Sequence, residues 1–178
     1  SDLATSDTTK PVYVDSAFVG GVYSIGHNGW AYTAAGDEAL VYQDNRDDWF
    51  KFFNPRTGLS TKLFYMGAWG WNWGQHIAAV KAPVNPGWAI MSITGKNAEG
   101  DGRWWINQLL GVELKENPRI WRIGNTQNKY LNYWTEAYAS VDTQGKAIWW
   151  AGNWRGTDNL EIYRMEIPEW PGSVLVMS

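Results

Sequence analysis

Three tryptophans stand at alternate positions in the stretch AWGWNWG: Trp69, Trp71 and Trp73, with Asn72 and Gln75 beside them. In an extended chain successive side chains point to opposite faces, so these indoles share one face. Two later stretches, NYWTE and WWAGNW, set Trp134, Trp150 and Trp154 close to Asn132 and Asn153. Indoles flanked by amides suit carbohydrate chemistry. A sugar ring has a C–H face that an indole can cover and a rim of hydroxyls that amides and carboxylates can hydrogen-bond. The candidate ligand-binding residues are therefore Trp71, Asn72, Trp73, Gln75, Trp134, Trp150, Asn153 and Trp154. One such contact is weak, on the order of millimolar to micromolar, and several on one body would add avidity.

Other chemistries leave little trace. His27 and His76 are the two histidines, and no further ligands stand at a zinc-like spacing from them. Asp44, Asp47 and Asp48 in QDNRDDW loosely resemble a calcium loop but lack its glycine and closing glutamate, so a hairpin turn with solvated acids is the plainer reading. No nucleophile elbow or phosphate loop is written in the chain. The 18 acidic residues offer many pairs for glycoside hydrolysis, and nothing marks one out. A non-catalytic protein without metal or cofactor is expected.

The elements that would carry these residues come from a repeat. VYSIG at 22–26, LFYMG at 63–67 and IWRIG at 120–124 are each followed by ALVY (from Ala39), AIMS (from Ala89) or AIWW (from Ala147). DDWFKFF, GRWWINQ and DNLEIYR come third in each unit. GWAYT, GQHIAAV and NKYLNYW fit between the first and second motifs. Each unit thus holds four short runs of β-branched and aromatic residues separated by turn residues, twelve strands in all. The units span about 20–61, 62–118 and 119–168, after an extension at 1–19 and before a tail at 169–178 in which Trp170 is expected to pack back. WWINQLLGVELKEN, the best helix candidate, contains Gly111 and alternates at VELKE, so it reads as strand, turn and extended return.

This layout resembles the β-trefoil, a pseudo-threefold barrel capped by hairpins. The resemblance implies an all-β domain with Ile25, Met66 and Ile123 inward, Leu40, Ile90 and Ile148 in the hairpins, and a bend at Gly26, Gly67 and Gly124. Trp49, Trp104, Trp105 and Trp121 would then be core. Many β-trefoil proteins are lectins, which favours glycans as partners. The Gln-x-Trp triplet of ricin-type lectins is absent, so no residue is carried over from them. RWWI and GVYSI also resemble mushroom mycocypins. That similarity implies an alternative, a protease inhibitor acting through the GKNAEGDGR loop at 95–103. A membrane-active lectin-like toxin is a third reading, since Trp and Tyr favour bilayer interfaces.

Composition bounds the rest. The 178 residues include 14 Trp, 9 Tyr and 5 Phe, with 44% hydrophobic residues, enough for one domain with a real core. The absence of cysteine excludes disulfides and thiolate metal sites. A net charge of −3 with scattered Lys and Arg gives no footprint for nucleic acid. No apolar run reaches the roughly 20 residues of a membrane-spanning helix. The polar first ten residues carry no apolar signal core, so a cytoplasmic location is slightly favoured over secretion. Homo-oligomerisation is left open.

Overall fold

The runs of β-branched and aromatic residues become antiparallel strands, each closed by a turn whose chemistry is local. In a computed structural model of the chain the described residues are 9–14, 17–23, 25–67, 73–79, 86–96, 104–157, 159–167 and 170. β1 (Thr9–Val14) and β2 (Ala17–Tyr23) form a hairpin. β3 (Ile25–Tyr32), β4 (Glu38–Asp44), β5 (Trp49–Asn54) and β6 (Leu59–Tyr65) form a first sheet, paired in chain order. β7 (Trp73–Ala79), β8 (Trp88–Gly95), β9 (Gln108–Glu113) and β10 (Ile120–Asn125) form a second in the same way. β11 (Ala139–Val141), β12 (Ala147–Gly152) and β13 (Glu161–Glu166) form a third. The β5–β6 turn shows how little is needed. Asn54 Oδ1 accepts the Arg56 amide at 2.9 Å, and Gly58 takes a φ of 70°, which glycine adopts without steric cost.

The three sheets stack, with β3 against β7 and β7 against β11. β8 lies in the middle and is buried along its whole length. Its alternation divides two cores. Ala89, Met91 and Ile93 pack with Val41, Phe50, Phe52 and Leu63 of the first sheet. Trp88 and Ile90 pack with Ile148 and Trp150 of the third, under Trp170. Trp170 donates its indole N–H to the Gly145 carbonyl at 2.7 Å and lies near the rings of Trp88 and Trp121, as the sequence predicts.

The all-β reading holds, and the unit of four strands holds in two sheets. The threefold barrel is not seen: every ladder among the described residues runs between consecutive strands of one sheet, and none joins strands of different sheets. The frame of the repeat also differs. LFYMG falls in and just after β6, and IWRIG falls in β10, so these pentapeptides end sheets rather than begin them. GWAYT and GQHIAAV contain or overlap β3 and β7, the first strands. A repeat specifies a spacing, while the seam is set by where hydrogen bonding stops.

Unit three departs further. NKYLNYW is a loop ending in a 3-10 turn, Tyr133–Thr135, and the short β11 takes the strand position after it. Asn132 caps that turn by accepting the Trp134 amide on its side chain, and its own N–H donates to Thr135 Oγ1, a reciprocal cap that stops an extended run. GRWWINQ overlaps a turn at Trp104–Asn107, with β9 starting at Gln108. Gly111 therefore sits inside a strand. A methyl group there would meet the Trp121 ring at 3.3 Å, so glycine makes room for the indole.

Leu40, Met66, Ile90, Ile148 and Trp105 are buried as expected. Ile123 and Trp121 are half-buried against the second core, and Trp49 is half-buried over Tyr65. Trp104 is exposed instead, beneath the Arg122 guanidinium at 5.9 Å, because the turn before β9 swings it outward. The side chain of Ile25 lies outside the described residues.

Replacing Ile90 with alanine opens a cavity at the fully buried centre of the second core and is expected to cost about 3 kcal/mol in urea unfolding. Trp104→Ala, on the surface, is expected to stay within about 0.5 kcal/mol of the wild type.

Candidate functional site

β12 ends at Gly152, and the chain turns through Asn153–Thr157 before entering β13. Asn153 is buried and holds that turn. Its Oδ1 accepts the Lys129 amide at 2.9 Å, and its Nδ2 donates to the Lys129 carbonyl at 2.8 Å. Its own carbonyl accepts the amides of Gly156 and Thr157. Arg155 and Gly156 take φ values of 61° and 93°, which throws Trp154 outward. The Trp154 indole remains 45% exposed and lies 5.4 Å from the Tyr163 ring, tilted by 33°. Trp150, 7% exposed, stacks on Tyr163 at 5.7 Å and 25°. Tyr163 is thus in contact with two indoles, one sealed in the core and one open. Its hydroxyl donates to Glu161 Oε2 at 2.9 Å. Thr157, Asn159 and Glu161 complete an open groove of about 480 Å³ alongside Trp154 and Tyr163.

A second concavity of about 190 Å³ lies where the sheets meet, lined by His27, Gln43, Trp73, Gly74, Gln75, Lys96, Tyr133 and Glu136. β7 is the edge strand of its sheet, so residues from both of its faces reach this space. Gln75 Nε2 donates to Gln43 Oε1 at 2.6 Å, joining the second sheet to the first. On the other side, buried Ser92 and Thr94 of β8 pin the chain entering β11. The Ser92 hydroxyl donates to the Ala137 carbonyl, and the Ala137 amide donates to Thr94 Oγ1 at 2.9 Å. These bonds set Glu136, 1% exposed, against Gly74. A methyl group at Gly74 would collide with the Glu136 carboxylate, so any side chain there obliges that carboxylate to move from its present position.

Glu136 Oε2 accepts from His76 Nε2 at 2.9 Å, and Lys96 Nζ stands 3.7 Å from Oε1. The His76 ring lies 3.8 Å from Tyr138 and meets His27 edge-on at 4.5 Å. Burial, and then the neighbouring His76, hold the His27 imidazole below its ordinary pKa, against the pull of Glu136. Burial and the adjacent Tyr133 push the Tyr138 phenol up, so it stays protonated and donates to the Tyr133 carbonyl at 3.1 Å.

The sequence candidates separate. Trp73 and Gln75 line the inter-sheet cavity, both buried, with Trp73 packed edge-on against Trp105. Trp154 lines the open groove. Trp150 is buried because β12 directs it inward, and it backs the groove; Asn153, just past the strand, is buried by its paired bonds to the Lys129 backbone and holds the turn. Trp134 is 72% exposed and lies edge-on to Tyr133. Trp71 and Asn72 lie outside the described residues, as does most of the GKNAEGDGR loop. The acidic run that resembles a calcium loop holds a cation of its own. Lys51 Nζ is 2.7 Å from both Asp44 Oδ2 and Asp47 Oδ2, and Asp44 is buried rather than solvated. Burial alone would raise the Asp44 pKa, but bonds from Lys51 and Arg46 hold it down. Among the described residues no group of His, Asp and Glu is arranged for a metal ion. No helix among them is long and apolar enough to cross a membrane.

Sequence reading missed Glu161, Tyr163 and Glu136. The alternation in DNLEIYR already puts Glu161 and Tyr163 on one face of a strand. Glu136 carries no such signal, since its neighbours come from segments more than 30 residues apart in the chain.

No family model and no curated protein matches this chain. Among solved structures, a crystal structure of a protein from Lactobacillus plantarum is similar, with 13% identity and a TM-score of 0.43 over 80% of this chain and 38% of that one. The chain therefore spans under two-fifths of that structure's length.

The depressed His27 pKa has a stability consequence. An unfolded histidine takes up a proton near about pH 6.5, before the folded one does. The unfolded state then binds more protons, so stability falls as pH drops from about 7 through that window. His27→Gln is expected to flatten this slope between about pH 7 and pH 5 in urea titrations at stepped pH. Carboxylates held low, such as Glu113 at about 2 beside Arg119, lose their contribution only as pH falls below their unfolded value of 4.5, outside most of that window.

Proposed function

We propose that this protein is a non-catalytic carbohydrate-binding protein that stacks a sugar ring on Trp154. The observation that carries the reading is the aromatic ladder Trp150–Tyr163–Trp154, anchored in the core at one end and open at the other to a largely apolar groove edged by polar side chains. An indole held by its neighbours loses little conformational freedom on binding, so more of the stacking energy is retained. Asn159, Glu161 and Thr157 stand where they can hydrogen-bond ring hydroxyls. Glu161 accepts from Tyr163, which orients it as an acceptor toward the groove. Glycoside hydrolysis ordinarily uses two carboxylates across the scissile bond. Among the described residues Glu161 is the one carboxylate lining this groove, which favours binding over cleavage.

Other exposed aromatics, Trp134, Trp149, Trp104 and Trp30, offer further stacking surfaces on the same body. Several weak contacts of this kind support avidity for a glycan-coated surface. A β-trefoil lectin is one scaffold for such multivalency; three stacked sheets with an aromatic ladder serve the same purpose without a closed barrel.

A glycan array followed by isothermal titration of its hits tests the reading. Trp154→Ala is expected to weaken binding roughly tenfold, about 1.4 kcal/mol. Trp154→Phe should retain part of it, and Leu59→Ala, an exposed apolar residue of β6 away from the groove, should leave it unchanged. Silence across a broad array, or unaltered affinity in Trp154→Ala, contradicts the assignment.

A further inference from the structure

The inter-sheet cavity contains two buried acceptors without a hydrogen bond, one of them, Glu136 Oε1, facing the Lys96 ammonium at 3.7 Å. Gln75 Oε1 and Glu136 Oε1 have no hydrogen-bond partner among the described residues, and these side chains are 3% and 1% exposed as residues. An unpaired buried acceptor is costly, on the order of 1–3 kcal/mol, and more for a charged group. Both line the same space, about 190 Å³, equal to about six water molecules at about 30 Å³ each. Gly74 keeps that space open, because any side chain there would displace the Glu136 carboxylate.

We infer that this cavity is a second binding site, independent of the Trp154 groove, for a small uncharged polyol whose hydroxyl groups donate to Gln75 and Glu136. Charge decides the class of ligand. Lys96 at 3.7 Å already offsets the single negative charge of Glu136, and the lowered pKa of His27 favours its neutral form at neutral pH. A cationic ligand would meet Lys96, and an anionic one would meet Glu136. A neutral donor-rich molecule meets neither penalty. Both open atoms are acceptors, so the ligand has to bring donors, and the hydroxyls of a polyol supply them without charge. Trp73 and Tyr133 supply apolar wall against its carbon chain. Tyr138 stacked on His76, and the Glu136–His76 bond, hold the receiving carboxylate in one orientation.

The probe is xylitol, titrated into protein with labelled histidine rings and followed by NMR of His27 and His76. Saturable shifts of both rings are expected, with pentanol, which lacks the adjacent hydroxyls, binding at least about tenfold more weakly. Gluconate and an aminated sugar alcohol should also bind more weakly than xylitol. Gln75→Leu should weaken xylitol binding while leaving the fold intact. Glu136→Gln should do the same, and if it fails to fold, Lys96→Met serves instead: it keeps both acceptors but shifts preference toward the aminated ligand. Trp154→Ala should leave the cavity titration unchanged, which separates this site from the groove. Absence of saturable shifts with xylitol, equal binding of pentanol, or preference of the wild type for a charged analogue overturns the proposal.

Discussion

β8, at the middle of the molecule, is withdrawn from water on both faces, so the polar side chains it carries have to find partners in neighbouring segments. That constraint organises the molecule. β8 sends Ala89, Met91 and Ile93 into one core and Trp88 and Ile90 into the other. Its two buried hydroxyls, Ser92 and Thr94, cannot remain unbonded, and they are used to hold the backbone at Ala137 and Ala139. Edge strand β7 obeys the same rule with Gln75 bonded to Gln43 and His76 bonded to Glu136. The sheets are thus joined by greasy faces and by a short polar seam along their first strands. Two acceptors in that seam, Gln75 Oε1 and Glu136 Oε1, are left without a hydrogen bond among the described residues.

The same packing converts aromatic surplus into a platform. A tryptophan buried in the second core, Trp150, gives Tyr163 a fixed partner. Tyr163 in turn sets the inner wall against which Trp154 leans. The left-handed residues of the 153–157 turn and the paired bonds of Asn153 to Lys129 decide that Trp154 points out rather than in. Core and proposed binding surface are therefore joined through one run of aromatic contacts, and the open end is backed by the closed end.

Much of the architecture was legible. Short alternating runs with turn residues between them announce an all-β chain, and the aligned Leu40, Ile90 and Ile148 are all buried at equivalent places on second strands. The seam of the repeat was not legible, because LFYMG and IWRIG look alike whether they open a unit or close one. NKYLNYW reads as a strand by composition, yet Asn132 and Thr135 close a cap and Asn128 bonds the carbonyls of Thr135 and Ala151, which holds the segment as a loop. Among the indoles, Trp154 was separable from Trp150 only by knowing that β12 ends between them. Glu136 was invisible for a different reason. A carboxylate acquires its environment from strands distant in sequence, and no local pattern records that His76, Gly74 and Lys96 converge on it.

The central claim is that the open end of the aromatic stack is a sugar platform and that its closed end is not. Selective nitrogen labelling of the indoles resolves each tryptophan N–H separately by NMR. On titration with a glycan that the protein binds, the Trp154 resonance is expected to move and saturate while those of Trp88, Trp105 and Trp170 stay in place. Saturation with the Trp154 resonance unmoved, or uniform movement of the buried indoles instead, contradicts the account.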